Sequence, residues 1–179
     1  MRIIRGFLKG KRFATPPNFP SRPTTDFAKE GLFNVLEHSI DFDGMNVLDL
    51  CAGTGNIALE FISRGANKLT AVDANDRCVQ YLKKNAKDLG IEAQFNVVKK
   101  DALLFCKLND QKFDLIFADP PFHLTFHQDL VQSIFEKDML NEDGLVIIEH
   151  GRQTDLSHLP QFEKMKTFGN VNFSFFVRL

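Results

Sequence analysis

From residue 46 onward, short apolar runs alternate with stretches of helical spacing, and this rhythm leaves few architectures open. The runs occupy residues 47–51, 69–73, 95–98, 113–118 and 145–149. Helical patterns lie between them, near residues 56–64, 76–89, 102–108 and 126–138. Strand and helix in succession predict a parallel sheet with helices on both faces, because a parallel crossover needs a helix-sized connection. Strands apolar on both faces fit a sheet buried on both sides. The tail breaks the rhythm. Residues 161–168 and 171–178 flank Gly169-Asn170, and Phe173, Phe175 and Val177 alternate against Asn172, Ser174 and Arg178. An antiparallel hairpin closing the sheet is expected there. The fold class is therefore α/β, a doubly wound Rossmann-like sheet, mostly parallel. At 179 residues the chain is long enough for one substantial core.

The first 40 residues read differently from residues 41–179. Ile3, Ile4, Phe7, Leu8 and Phe13 flank Lys9-Gly10-Lys11, which predicts a β-hairpin. Pro16, Pro17, Pro20 and Pro23 then suggest a stiff link. Thr25 or Asp26 is placed to cap a helix carrying Phe27, Leu32, Phe33 and Leu36 on one side. Charge is divided the same way. Arg2, Arg5, Lys9, Lys11, Arg12 and Arg22 stand with no acid in residues 1–22, so the body holds 16 basic and 23 acidic residues. The overall net charge of −1 speaks against nucleic acid, but it averages a basic arm and an acidic body.

Hydrophobic residues at 44% and charged residues at 25% exclude a disordered chain. No apolar run approaches the roughly 20 residues of a membrane span. Met1-Arg2-Ile3-Ile4-Arg5-Gly6 has no signal-peptide core, so a cytoplasmic location is expected. Cys51, Cys78 and Cys106 form no CxxC pair and suggest neither zinc nor a disulfide framework. Cys51 and Cys78 read as small core residues.

Four strand ends carry chemistry. The first reads Asp49-Leu50-Cys51-Ala52-Gly53-Thr54-Gly55. Its glycines permit a tight turn and a close backbone approach to a ligand, as nucleotide cofactors of several kinds require. Asp49 lies inside a strand, and a buried carboxylate needs a partner. A cationic amine on a ligand would supply one. Asp73 ends the second strand about 20 residues on, where an acid accepts from ribose hydroxyls, caps the next helix, or both. Asp101 ends the third strand, as a ligand contact or as a cap. The fourth ends in Asp119-Pro120-Pro121-Phe122, the most specific signal. Two prolines stiffen the loop and remove two donors, leaving carbonyls as free acceptors. A carboxylate, a carbonyl and an aromatic plate together suit an exocyclic amine on a planar base.

These four segments resemble the motif series of class I S-adenosylmethionine-dependent methyltransferases that modify amino groups. Met1-Arg2-Ile3-Ile4-Arg5-Gly6, Arg22-Pro23-Thr24-Thr25-Asp26 and Glu30-Gly31-Leu32-Phe33-Asn34-Val35-Leu36 narrow the resemblance to the RsmD family, bacterial 16S ribosomal RNA guanine-N2 methyltransferases. It extends over essentially the whole chain. One departure is visible: the stretch after Glu149-His150 is short for a full helix before the last hairpin. The resemblance implies S-adenosylmethionine as cofactor. Gly53 and Gly55, in a turn with Ala52 and Thr54, would pack on its methionine moiety, with Asp49 near the amine. Asp73 would bind the ribose, and Asp101 with a backbone contact from Ala102 the adenine. The segment containing Thr24 and Thr25 would close over the methionine end. Asp119 and Pro120 would accept the two N–H bonds of the target amine, and Phe122, after Pro121, would stack on the base. The implied partner is 16S ribosomal RNA, in an assembling small subunit, bound by a monomer.

With RNA as substrate, Arg2, Arg5, Lys9, Lys11, Arg12 and Arg22 become candidate phosphate contacts at the mouth of the site. His123 and His127, four apart, lack a third ligand for a metal; both are expected at the rim, His123 as a further RNA contact. His38, His150 and His158 read as structural or solvent-facing. Three rival readings remain: adenine-N6 methylation of RNA or DNA, a dinucleotide-dependent oxidoreductase allowed by the GxGxxA match at residues 53–58, and a non-catalytic RNA-binding module.

Overall fold

The computed structural model describes residues 1–121 and 126–179. Along the chain run α1 (Asp26–Glu37), β1 (Asn46–Leu50), α2 (Asn56–Ser63), β2 (Lys68–Asp73), α3 (Asp76–Leu89), β3 (Phe95–Lys99), α4 (Ala102–Leu108), β4 (Phe113–Ala118), α5 (His127–Glu136), β5 (Leu140–Gly151), β6 (Phe162–Phe168) and β7 (Val171–Val177). The strands form one seven-stranded sheet in the order β3-β2-β1-β4-β5-β7-β6. The β3-β2-β1-β4-β5 run is parallel, and β7 pairs antiparallel with both β5 and β6. The expected α/β sheet with a closing hairpin is the observed fold.

Strand alternation sorts the apolar residues onto two faces. Val47, Leu115, Phe117, Ile147, Phe173 and Phe175 meet α1, α2 and α3 on one side. Leu48, Leu50, Ile116, Ala118, Val146, Ile148 and Phe176 meet α4 and α5 on the other. Burying a side chain of this size stabilises the fold by about 1.5–3 kcal/mol. Helix starts follow local chemistry: Thr25 caps α1, Asn75 caps α3 and Asp101 caps α4, each accepting from a first-turn amide.

Several expectations change. Strand β1 stops at Leu50, because Cys51 takes a left-handed φ of 61°. Helix α5 ends at Glu136, two residues early, and β5 begins at Leu140, with an irregularity in its pairing to β4. Asn172 and Ser174 do not face water: both are buried, because β7 is an interior strand covered on both faces. Thr167 Oγ1 donates to Asn172 at 2.8 Å, and Ser174 Oγ lies 2.7 Å from His150 Nε2. Residues 152–161 form turns rather than a helix. On α1, Phe27 is 66% exposed and edges against Phe168; Ala28 and Lys29 take the buried positions beside Leu32, Phe33 and Leu36.

The N-terminal segment folds back as the expected hairpin, short and irregular: Arg2 and Arg12 form an antiparallel bridge, Ile3 N donates to the Lys11 carbonyl at 3.0 Å, Gly10 N to Ile3 at 2.9 Å and Phe13 N to Met1 at 3.1 Å. The amides at its turn serve α2. Ile4 and Arg5 donate to Glu60 at 2.9 and 3.0 Å. Phe7 donates to the Ser63 carbonyl at 2.9 Å and Leu8 to Ser63 Oγ at 3.0 Å. Ile3 and Leu8 are buried in the same core layer as α1 and α2.

Candidate active site

Four strand ends converge on one cleft of about 550 Å³ at the carboxyl edge of the sheet, where ligands of open α/β sheets bind. Its floor holds Cys51, Gly53 and Asp73; Asp101 and Ala102 form one wall, and Asp119, Pro120 and Pro121 the opposite lip. Gly53 has φ 54°, and a Cβ there would lie 2.3 Å from Ser21 Oγ. The turn is thus roofed by the proline-rich segment, and any side chain at Gly53 would push that roof away. Gly55 is different. It does not line the cleft, and its missing Cβ makes room for Leu82 of α3.

A smaller recess opens beneath, lined by Asp49, Ala52, Thr54, Thr24, Asn56 and Asp119, among others. It has room for about one water-sized group. Asp49 is 2% exposed and its Oδ1 has no hydrogen-bond partner among the described residues. Burial, then the carboxylates of Asp119 and Asp73, push the Asp49 pKa well above the usual carboxylate range; a hydrogen bond from the Ala58 backbone opposes them. Burial raises Asp119 to about 7. Glu149, at the end of β5, is 2% exposed and also shifted well upward, by burial and then by Asp119. These carboxyls come from β1, the loop after β4, and β5, which are adjacent in the sheet.

Residues 14–24 cross above the sheet as a strap with ties at both ends. Arg77 Nη1 donates to the Asn18 carbonyl at 2.8 Å, Tyr81 donates to Ala14, and the Phe19 and Tyr81 rings lie 5.0 Å apart. At the far end, Asn56 Nδ2 donates to the Thr24 carbonyl at 2.7 Å. Lys29 Nζ in turn donates to Asn56 Oδ1 at 2.8 Å and lies 3.2 Å from Glu60.

Of the residues singled out from sequence, Gly53, Asp73, Asp101, Ala102, Asp119, Pro120, Pro121 and Arg22 line the main cleft, and Asp49, Ala52, Thr54 and Thr24 the recess. Thr25 does not line either; it caps α1. Phe122 and His123 lie outside the described residues. His127 is not at the rim: it is 3% exposed, stacked on Phe126 and edge-on to His150. Cys51 is a cleft wall rather than a core residue, and buried Cys78 also borders the cleft. Neither thiol is a nucleophile at neutral pH. Burial and the acid cluster raise both, Cys78 to about 12. Sequence reasoning missed Ser21, Asn56, Lys100 and Phe126. It also missed Glu149, although an acid at a strand end was the signal used for the others.

Of the basic arm, Arg22 lines the cleft, whereas the tip lies away from it. Arg2 pairs with Asp26 at 3.4 Å and Arg5 with Glu37 at 2.6 Å. The tip, with exposed Phe7, Lys9 and Lys11, hangs on Ser63 at the last residue of α2. The cleft lies at the other end of that helix. Eight residues of α2 separate them by about 12 Å.

A Rossmann-like sheet of this order, with a glycine turn after β1 and acids ending its neighbours, defines a class I methyltransferase, whose methyl donor is S-adenosylmethionine. The residues present fit that donor. Asp49, with an Oδ1 unpaired among the described residues beside a recess of ammonium size, would hold its amine, and Asp73 and Asp101 border a nucleoside-sized space. The model of the family described as "Conserved hypothetical protein 95" matches residues 1–177. Ribosomal RNA small subunit methyltransferase D of Haemophilus influenzae is 32% identical over 178 residues, 97% of this chain and 91% of its own. The Escherichia coli protein of the same name is 28% identical over 99% of this chain and 90% of its own. The solved structure of yhhF from Escherichia coli has a TM-score of 0.84 at 26% identity, covering 98% of this chain and 96% of that one. The chain belongs to the ribosomal RNA small subunit methyltransferase D family.

Proposed function

We propose that the protein methylates the exocyclic N2 amine of a guanine in 16S ribosomal RNA. The names of its relatives support ribosomal RNA as the substrate. That the target is an exocyclic amine rests on one observation: Asp119, beside two prolines, borders both the cleft and the cofactor recess; guanine N2 rather than adenine N6 rests on the family resemblance. The bound cofactor supplies an electrophilic methyl group on a sulfonium. The amine lone pair of guanine is delocalised into the ring and must be turned outward. Asp119 and the Pro120 carbonyl accept its two N–H bonds, which orients the lone pair and stabilises charge developing on nitrogen. Phe122 stacks on the base, which must first leave its own stack. Holding both reactants at attack distance supplies much of the remaining acceleration.

Residues 1–40 serve in this reading as an extension that meets the RNA, and residues 41–179 as the transfer domain. Lys9, Lys11 and Arg12 are exposed and hold phosphates away from the target base, with Arg22 at the cleft itself. Arg2 and Arg5, already paired with Asp26 and Glu37, contribute less. An RNA contacting both places must span the length of α2, which favours a folded RNA in a small-subunit particle. The enzyme acts as a monomer in the cytoplasm. The test is methylation of naked 16S RNA and of small-subunit particles with labelled cofactor, followed by mapping of the modified base. Label on guanine N2 is expected; label on adenine N6, or none, overturns the proposal.

A further inference from the structure

We propose that Glu149 is a positioning residue that holds the strap over the cofactor cleft through Thr24. Thr24 Oγ1 donates to Glu149 Oε2 at 2.8 Å across 125 residues of sequence. The Thr24 carbonyl accepts from Asn56 at 2.7 Å, so this one residue is gripped through both backbone and side chain. Its neighbours Ser21 and Arg22 roof the cleft and Gly53. On the roof side, Thr24 is the last residue before the cap of α1. Without its side-chain grip, the hydrogen bond from Asn56 remains to hold the roof at this end. Glu149 is wholly enclosed where a methionine, leucine or alanine would satisfy packing at no desolvation cost. Its position therefore calls for a role, and its bond to Thr24 supplies one.

The groups facing Glu149 are Asp49 from β1 and Asp119 from the loop after β4, with Thr24 from the strap and Arg22 on the same recess. Burial first, and then both neighbouring acids, disfavour its ionisation. Glutamine matches it in shape and keeps a carbonyl acceptor. Glu149→Gln retains an acceptor for Thr24, Glu149→Ala removes it, and Thr24→Val removes the donor at constant shape.

The experiment reads two quantities on the full chain: the Kd for S-adenosylmethionine by calorimetry, and hydrogen exchange at the amides of residues 21–25. In Glu149→Ala and Thr24→Val, affinity should fall about tenfold, the size of one buried hydrogen bond, and exchange at the strap should quicken. The double variant should be no worse than either single one. Glu149→Gln should keep both readouts near those of the unaltered protein. Melting temperatures separate a local loosening from a global loss of fold. Tight binding by Glu149→Ala, or a defect in Glu149→Gln equal to that of alanine, overturns the proposal. An unaltered protein that binds no S-adenosylmethionine would instead sink the assignment of the cofactor.

Discussion

The Gly53 backbone N–H donates to Asp73 Oδ2 at 2.9 Å, so the acid that ends β2 is fastened to the glycine turn that follows β1. The other oxygen, Oδ1, accepts from Asn75 N at 2.8 Å. The Cys78 thiol also donates to this carboxylate, which offers about four acceptor sites in all and faces the cleft. One side chain thus shapes the turn and remains available to ribose hydroxyls. Asp73→Asn keeps one acceptor and should weaken S-adenosylmethionine binding about tenfold. Asp73→Ala removes both and should weaken it about a hundredfold, since bonds to charged groups contribute about 1.5–3 kcal/mol. Calorimetric titration checks this; equal affinities in all three proteins would remove Asp73 from the site.

Asp119 is raised to about 7 by burial, so its ionisation in the free enzyme is centred near neutrality. An ionised acceptor orients the amine better than a neutral one. The value of kcat/KM should therefore rise with pH through about 7. Binding of a sulfonium favours the carboxylate, so the limb in kcat should lie at lower pH. Asp119→Ala should reduce turnover by about 10²–10⁴ with cofactor affinity largely intact. Asp119→Asn should abolish the limb; persistence of the same limb in that variant would assign it to another group.

Asp49 links the cofactor to stability. Its folded pKa is raised, by burial first, above its unfolded value. Between those two values the folded chain binds the extra proton, so its stability falls as pH rises. Asparagine has no proton to lose. Asp49→Asn should melt above the unaltered protein at pH 8, and this gain should shrink as the pH approaches 4, near the unfolded value. The same change should weaken S-adenosylmethionine binding, because the amine loses its counter-charge. Scanning calorimetry across pH checks the first part. A gain that grows as the pH falls would contradict it.

The sheet and the acids at its strand ends were legible because both follow local rules. Five-residue apolar runs separated by helical spacing specify crossovers, and a carboxylate next to a glycine or proline turn stands out. Three features were not legible. The seat of the arm on α2 was one, because Glu60 and Ser63, more than 50 residues away, take amides at its turn. Lys29 sits on α1 like any polar residue, yet it is fully buried because acceptors on α2 and the arm converge on it. Glu149 ends a strand run like Asp73 and Asp101, but what gives it a role is its partner Thr24, 125 residues earlier. Such pairings depend on which elements the fold brings together, and no local pattern records them.

The position of the arm changes what its charges should do. Lys9, Lys11 and Arg12 are exposed on the arm, whereas Arg2 and Arg5 are engaged by acids. Neutralising the first three should flatten the slope of log K against log salt by about two to three units, given a slope near 0.7–0.9 per phosphate contact. Cofactor affinity should not change. RNA too short to reach the tip should bind both proteins alike, and a difference on short RNA would return these contacts to the cleft.

Lys29 supports the most demanding test of how arm, strap and body are joined. Its ammonium reaches Glu60, Asn56 Oδ1 and the Arg2 carbonyl from a wholly buried position. Burial lowers its pKa, and Glu60 opposes the shift. Removing one member of a buried pair costs about 3–5 kcal/mol, since the other is left uncompensated. Glu60 here keeps Arg64 at 2.8 Å and the amides of Ile4 and Arg5. Lys29→Met should therefore fall at the lower end, about 3 kcal/mol in urea unfolding. Adding Glu60→Gln to it should cost less than the sum of the two single changes, because the charge left behind is gone. Asn56, released by Lys29, should also hold Thr24 less firmly, so cofactor affinity should fall together with stability. A loss of stability with cofactor affinity fully retained would show that the arm anchor and the strap are independent.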